Sequence, residues 1–171
     1  MAYTPTEPVV FQSTIAGIDT TQLYAYGTTV RAKDPTYGEG IFIYLQGVSG
    51  NKVGLMVNYK QDAGVVTIYP STANLGEPIA VSMAANTTTG TYSWYQVSGA
   101  AVILKSAVKV DPAGGTFPKV YISGTAGRVM PTSVSGKQIL GARFTTTVTV
   151  TSTTSTAVVQ INRPVEQSQI T

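Results

Sequence analysis

The chain contains no cysteine and no histidine. Without cysteine there is no disulfide framework and no thiolate, which excludes a small scaffold stapled by bridges. Without either residue the common zinc, copper, haem and iron–sulfur ligand sets cannot be assembled, so no cofactor or metal is expected. Nucleophile–base pairs that rely on a side chain titrating near neutrality also lack their base. Charge is scarce as well. Asp, Glu, Lys and Arg make up 11% of the 171 residues, against roughly 25% in an average soluble domain. The 11 basic and 8 acidic residues are scattered, with no Lys/Arg run to track a phosphate backbone, so no nucleic-acid partner is expected. No apolar run approaches the roughly 18 to 20 residues that cross a bilayer, so no membrane partner is expected. The Met1 start carries no basic stretch leading into an apolar core, so no secretory signal is expected and synthesis in a cytosol-like compartment follows.

Thr, Ser and Gly take the place of the missing charges. Threonine favours strands, its methyl accepting half-burial and its hydroxyl accepting water, so such a chain suits sheets with neutral faces. Those faces are readily buried against a partner. The length points to one domain that can build a core without staples.

The hydrophobic periodicity predicts short strands throughout and no helix. Met1 to Leu23 has Pro5 and Pro8 and no sustained period, and reads as an extended N-terminal arm: either a frayed terminus with one short edge strand or, as its apolar content favours, an extension that orders on a partner. Alternation begins at Tyr24 to Val30. Ile41-Phe42-Ile43-Tyr44-Leu45 is apolar on both faces, the mark of a strand covered on both sides. Lys52 to Tyr59 and Val65 to Tyr69 flank a turn at Gln61 to Gly64. Ile79 to Ala84 and Tyr92 to Val97 follow, with Ser98-Gly99 as a turn into Ala101 to Lys105 and Ala107 to Val110. After the loop Asp111 to Pro118, Lys119 to Phe144 reads as strand, turn, strand, turn, strand and as the organising stretch. Thr145 to Ser155 is a half-exposed strand and turn, and Thr156 to Asn162 a closing strand halted by Arg163-Pro164. The expected fold is all-β: a single β-sandwich or small barrel-like domain of about ten short antiparallel strands. The domain spans residues 24–164, with the arm at 1–23 and a polar C-terminal tail at 165–171.

Catalytic equipment is hard to find. Ser106 beside Lys105, and Ser135-Gly136-Lys137, are the nearest approaches to a Ser–Lys pair, and neighbours on a strand point to opposite faces. The acids Glu7, Asp19, Asp34, Glu39, Asp62, Glu77, Asp111 and Glu166 fall in the arm, turns or tail, without the density of a calcium loop. Gly38 and Gly40, and Gly114-Gly115, are too sparse for a phosphate cradle. No catalytic residue is assigned, and the expectation is that the protein is not an enzyme.

Three stretches carry a family resemblance: GEPIAVSM from Gly76 to Met83, WYQVSGAAV from Trp94 to Val102, and KVYISGTAGRV with GKQILGARF from Lys119 to Phe144. Together these resemble capsid decoration, or cement, proteins of tailed bacteriophages, over Gly47 to Pro164. The resemblance implies a non-enzymatic structural virion protein. It would be made in the host bacterial cytoplasm and bound to the outer surface of the capsid, with the phage major capsid protein as partner. Self-association, as a trimer or else a dimer, is implied too. Tyr3, Val10, Phe11, Ile15, Tyr24 and Tyr26 are the expected capsid or oligomer interface. The alternative is an adhesive or carbohydrate-binding module of a head fibre or tail fibre, with Tyr92, Trp94 and Tyr95 as a stacking platform for glycans.

Overall fold

The structure, a computed structural model, describes residues 4–5, 12–111, 118–145 and 149–169. It is all-β and antiparallel, a curled sheet forming a half-barrel, with no helix among the described residues. The strands are β1 (Thr4–Pro5), β2 (Thr29–Asp34), β3 (Gly38–Gln46), β4 (Met56–Tyr59), β5 (Val66–Ile68), β6 (Ile79–Ser82), β7 (Tyr92–Leu104), β8 (Lys119–Ile122), β9 (Val129–Met130), β10 (Gln138–Phe144) and β11 (Thr156–Glu166).

The strand on which the sheet branches is β7, not the β8–β10 stretch. Its first half pairs with β3 on one edge, while Gln96 and Tyr95 pair with Val81 and Ser82 of β6 on the other. Its second half, Ser98 to Leu104, pairs with β11. One wing therefore runs β1-β2-β3-β7 and continues through β6 to β4 and β5; the other runs β7-β11-β10-β8-β9. Facing residues of the two wings enclose the largest core. Met56, Tyr69, Ile79 and Val81 of the first wing meet Ile103, Val120, Ile122, Val129, Phe144, Val159 and Ile161 of the second.

The two-faced apolar run of β3 is the clearest case of sequence dictating structure. Phe42, Ile43, Tyr44 and Leu45 are all buried. Because side chains alternate across a strand, Phe42 and Tyr44 join a cluster with Val30, Met83 and Trp94 on one face. Ile43 and Leu45 join Val57, Ala80, Tyr95 and Val97 on the other. Burying each such side chain is worth roughly 1.5–3 kcal/mol, which fixes β3 and β7 as the centre of their wing.

Several sequence boundaries are corrected. Ser98-Gly99 is not a turn. β7 runs through it unbroken, with one extra residue opposite β3 where Ile41 faces Ser98 and Phe42 faces Gln96. Arg163-Pro164 does not halt the last strand, which continues to Glu166. The pairing slips there instead, Leu140 facing Val165 and Ala142 facing Ile161, so that Pro164 sits in a bulge where no ladder donor is needed. Residues 165–169 are consequently not a tail: Gln167 N donates to Gln138 O, and Ser168 bridges Leu75. Tyr24 to Thr28 precede the strand and form a turn. Val110 pairs with Val150 and not with the preceding strand. From Gln12 onward the expected arm lies against the body, with Ser13 and Ile15 buried. Its earlier portion, apart from the Thr4–Pro5 pairing with β2, lies outside the described residues.

Candidate aromatic contact surface

Segment 12–28 straps the Phe42/Tyr44/Trp94 side of β3 and β7. Ile15 enters the core beside Trp94, and Ser13 Oγ accepts a 3.3 Å hydrogen bond from Trp94 Nε1. Asp19 joins the start of β7 like a short extra strand, exchanging two 2.8 Å backbone hydrogen bonds with Tyr92. Its carboxylate accepts from the Tyr44 hydroxyl at 2.8 Å, and that hydroxyl also accepts from Leu23 N at 3.4 Å. Burial, reinforced by the bond to Asp19, pushes the Tyr44 hydroxyl well above the usual tyrosine range, so it stays a neutral donor.

Five rings meet here. Tyr44 lies 5.0 Å from Trp94, 5.1 Å edge-on from Tyr24 and 6.0 Å from a near-parallel Tyr92. Tyr26 lies 6.1 Å beyond Tyr92 and accepts a 2.6 Å hydrogen bond from Gln46 Nε2. The hydroxyl of Tyr24 accepts from Gln12 N at 2.8 Å. These separations fall in the 4.5–7 Å range of favourable aromatic pairs, each worth roughly 0.5–1.5 kcal/mol beyond area burial. The inner rings are core. The outer ones, Tyr24, Tyr26 and Tyr92, remain half-exposed. Beside them Ile18 and Leu23 are 48% and 37% exposed and flank a shallow hollow of about 260 Å³. Asp19, Thr20 and Thr21 complete the lining of the hollow, so this face combines half-exposed tyrosine rings and two exposed aliphatic side chains with two threonines and the carboxylate that accepts from Tyr44.

The residues singled out from sequence fall on both sides of this arrangement. Tyr24 and Tyr26 line the surface together with Tyr92, which the sequence had assigned to a separate platform. Ile15 is an anchor, but into the chain's own core, where it cannot reach another molecule. Tyr3, Val10 and Phe11 lie outside the described residues. The platform of Tyr92, Trp94 and Tyr95 is overturned: Trp94 and Tyr95 have no exposed surface. Strand alternation sends Tyr95 to the opposite face, where its hydroxyl donates to Gln46 O at 2.7 Å and burial raises its pKa to about 12. Asp19, Tyr44, Ile18 and Leu23 were not anticipated. For Ile18 and Leu23 the one sequence signal was the apolar content of residues 1–23, while Tyr44 belongs to the run Ile41 to Leu45 already read as covered on both sides.

Elsewhere the Ser106–Lys105 pairing is closed off. Lys105 is buried and donates to the carbonyls of Ser106 and Val108 at 3.2 and 2.9 Å. Ser106 Oγ bonds weakly to Val129 O. Among the described residues, no three of His, Cys, Asp and Glu gather to hold a metal. Neither a family model, nor a curated protein, nor a solved structure matches the chain.

Proposed function

We propose that this chain is a non-enzymatic structural virion protein, a cement or decoration protein that binds the outer surface of a phage major-capsid lattice and self-associates there. The observation that carries the reading is the set of exposed aliphatic and half-exposed aromatic side chains Ile18, Leu23, Tyr24, Tyr26 and Tyr92, held in place by the Asp19–Tyr92 backbone pairing and the Asp19–Tyr44 bond. Such a surface gains by excluding water and has little conformational entropy left to lose, which favours burial against a large partner. Large exposed aromatic residues are also the side chains that dominate binding energy at interfaces. The sequence resemblance supplies the partner, and the absence of redox-sensitive cysteine suits a protein exposed to the medium. Ligands that bind only the assembled state stabilise it by RT ln(1 + [L]/Kd), and many equivalent copies multiply a modest contact energy.

Co-sedimentation with purified mature heads tests this. The full chain is expected to pellet with heads to a saturating stoichiometry, and the Ile18→Asp/Tyr92→Ala variant to lose occupancy while remaining folded. Absence of saturable binding by the parent chain would overturn the reading.

A further inference from the structure

A second concave feature lies on the β4–β5 hairpin. It is a groove of about 230 Å³ to which Tyr59 and Pro78 give apolar lining, Asn58, Thr67 and Glu77 polar lining, and Lys60 a cation. The strand register places Asn58 directly opposite Thr67. The hydroxyl of Thr67 donates to Asn58 Oδ1, and Asn58 Nδ2 donates in turn to Glu77 Oε2. This relay fixes three side chains in one arrangement and ends on an acceptor, the Glu77 carboxylate. Among the described residues Glu77 takes part in neither of the two ion pairs, Arg31–Glu39 and Lys109–Asp111. Lys60 lines the same groove.

From this arrangement we infer that the groove is a binding site for a single neutral sugar ring. Its volume lies below the roughly 300–1,000 Å³ of pockets that take drug-sized ligands, so the occupant is about the size of one ring. Charge then selects the class. A cationic head group drawn to Glu77 would meet Lys60 in the groove and Arg163, whose charge acts on Tyr59 from the β11 bulge. An anionic group drawn to Lys60 would meet Glu77. A neutral polyol uses both, donating one hydroxyl to the carboxylate and accepting at another from the ammonium, as charge-assisted hydrogen bonds. The C–H face of a sugar fits the apolar lining from Tyr59 and Pro78. Burial raises the Tyr59 pKa, so its hydroxyl remains a donor. The few contacts available to so small a ligand imply millimolar affinity. This site shares no residue with the aromatic surface, so it stands or falls independently of the capsid reading.

The test is a titration of the ¹⁵N-labelled full chain with methyl glycosides of glucose, galactose, N-acetylglucosamine and rhamnose, to about 50 mM each. At least one is expected to shift the amide resonances of Asn58, Tyr59, Thr67 and Glu77 saturably. Glu77→Gln and Lys60→Ala are each expected to weaken that sugar about tenfold. Lys60 is exposed, so its variant keeps the comparison valid if Glu77→Gln disturbs the fold. The inference is overturned if no glycoside moves these resonances, or if the shifts fall on other residues. Undiminished affinity in Lys60→Ala would overturn it too, as would tighter binding of Nα-acetyl-lysine methylamide in the same groove.

Discussion

The hydroxyl of Tyr69 donates a 2.8 Å hydrogen bond to Oε2 of Glu166, joining residues 97 positions apart. The same oxygen accepts from Leu75 N at 2.9 Å, and Glu166 N donates to Glu77 O at 3.2 Å. Both side chains are buried. The end of β11 is thus pinned to the loop after β5, closing the second wing over the first. Oε1 of the carboxylate has no hydrogen-bond partner among the described residues, so the group depends heavily on the two donors it does have. Tyr69→Phe removes one of them and is expected to cost about 1–3 kcal/mol, the range for leaving a buried polar group under-satisfied. Urea denaturation would show this as a lower midpoint with an unchanged slope. In the double variant Tyr69→Phe/Glu166→Gln the loss should be smaller than the sum of the single losses, because the two residues act through one bond.

Alkaline pH should unfold the protein through its tyrosines. Tyr44, Tyr69 and Tyr95 have no exposed surface. Burial raises all three, to about 12 for Tyr95 and further for Tyr44 and Tyr69, whose hydroxyls also donate to Asp19 and Glu166. In the unfolded chain tyrosine ionises near about 10. Above that pH the unfolded chain binds fewer protons than the folded one, so stability, fully present below about pH 10, falls as pH rises through the folded-state values. Three such groups give a slope of up to about 4 kcal/mol per pH unit. Lys105 acts in the opposite sense and at lower pH: burial lowers its folded-state pKa, so stability rises with pH while the unfolded lysine still holds its proton and levels off near its unfolded value of about 10.4, where the tyrosine loss is setting in. The urea midpoint is expected not to fall until about pH 10 and then to drop steeply. Tyrosinate absorbance should rise in two steps, the second coinciding with unfolding; a single titration near pH 10 with no loss of structure would contradict this account.

The partition of the aromatic residues gives a third expectation. Trp94 fills the core beneath the contact surface and its indole N–H is bonded to Ser13, so Trp94→Ala should destabilise by about 3–5 kcal/mol through the cavity it leaves. Tyr92 and Tyr26 are half-exposed, so each alanine variant should lower the thermal midpoint far less. In head co-sedimentation the order reverses for variants that stay folded: Tyr92→Ala and Tyr26→Ala lose binding, while the conservative Trp94→Phe retains it. Comparing the thermal midpoint with the bound fraction separates the two roles.

The all-β architecture was legible because strand signals are local. The two-faced run Ile41 to Leu45 and the hairpin across Gln61 to Gly64 each follow from a few adjacent residues. What was not legible depends on chain neighbours distant in sequence. Gly99 looked like turn punctuation because its conformation is that of a turn, with φ of 102°, although the strand runs on through it. Arg163-Pro164 looked like a stop because proline cannot donate to a ladder, and only the opposing Gly141 reveals a bulge. Glu166 looked like a solubilising tail residue, and nothing nearby indicates that Tyr69 awaits it. The contact surface was half visible. Tyr24, Tyr26 and Tyr92 were marked individually, but their convergence is set by the Asp19–Tyr92 pairing, which no spacing rule encodes.

Glycine at position 99 is required by two constraints at once, which makes it the sharpest test of the branched sheet. Its φ of 102° is one that side chains other than glycine rarely adopt. A β-carbon there would lie 2.5 Å from Glu39 O and 2.9 Å from Gly40 Cα, both backbone atoms of β3. Neither can move without opening the β3–β7 pairing, whereas a clash with a flexible side-chain end could relax. Gly99→Ala should therefore cost more than the roughly 1 kcal/mol of a simple left-handed glycine replacement, on the order of 3 kcal/mol. Gly124 provides the control, because its added β-carbon meets nothing within 4 Å and its φ lies outside the glycine-favouring region. Gly124→Ala should leave the unfolding free energy within about 0.5 kcal/mol of the parent. Amide exchange would then locate the damage: in Gly99→Ala, protection should fall first along Ile41 to Gln46 and Tyr92 to Ser98, the strand pair on which the contact surface is built. Equal stability of the two variants would mean that β7 tolerates a shift at its bulge and that the wings are not rigidly coupled through it.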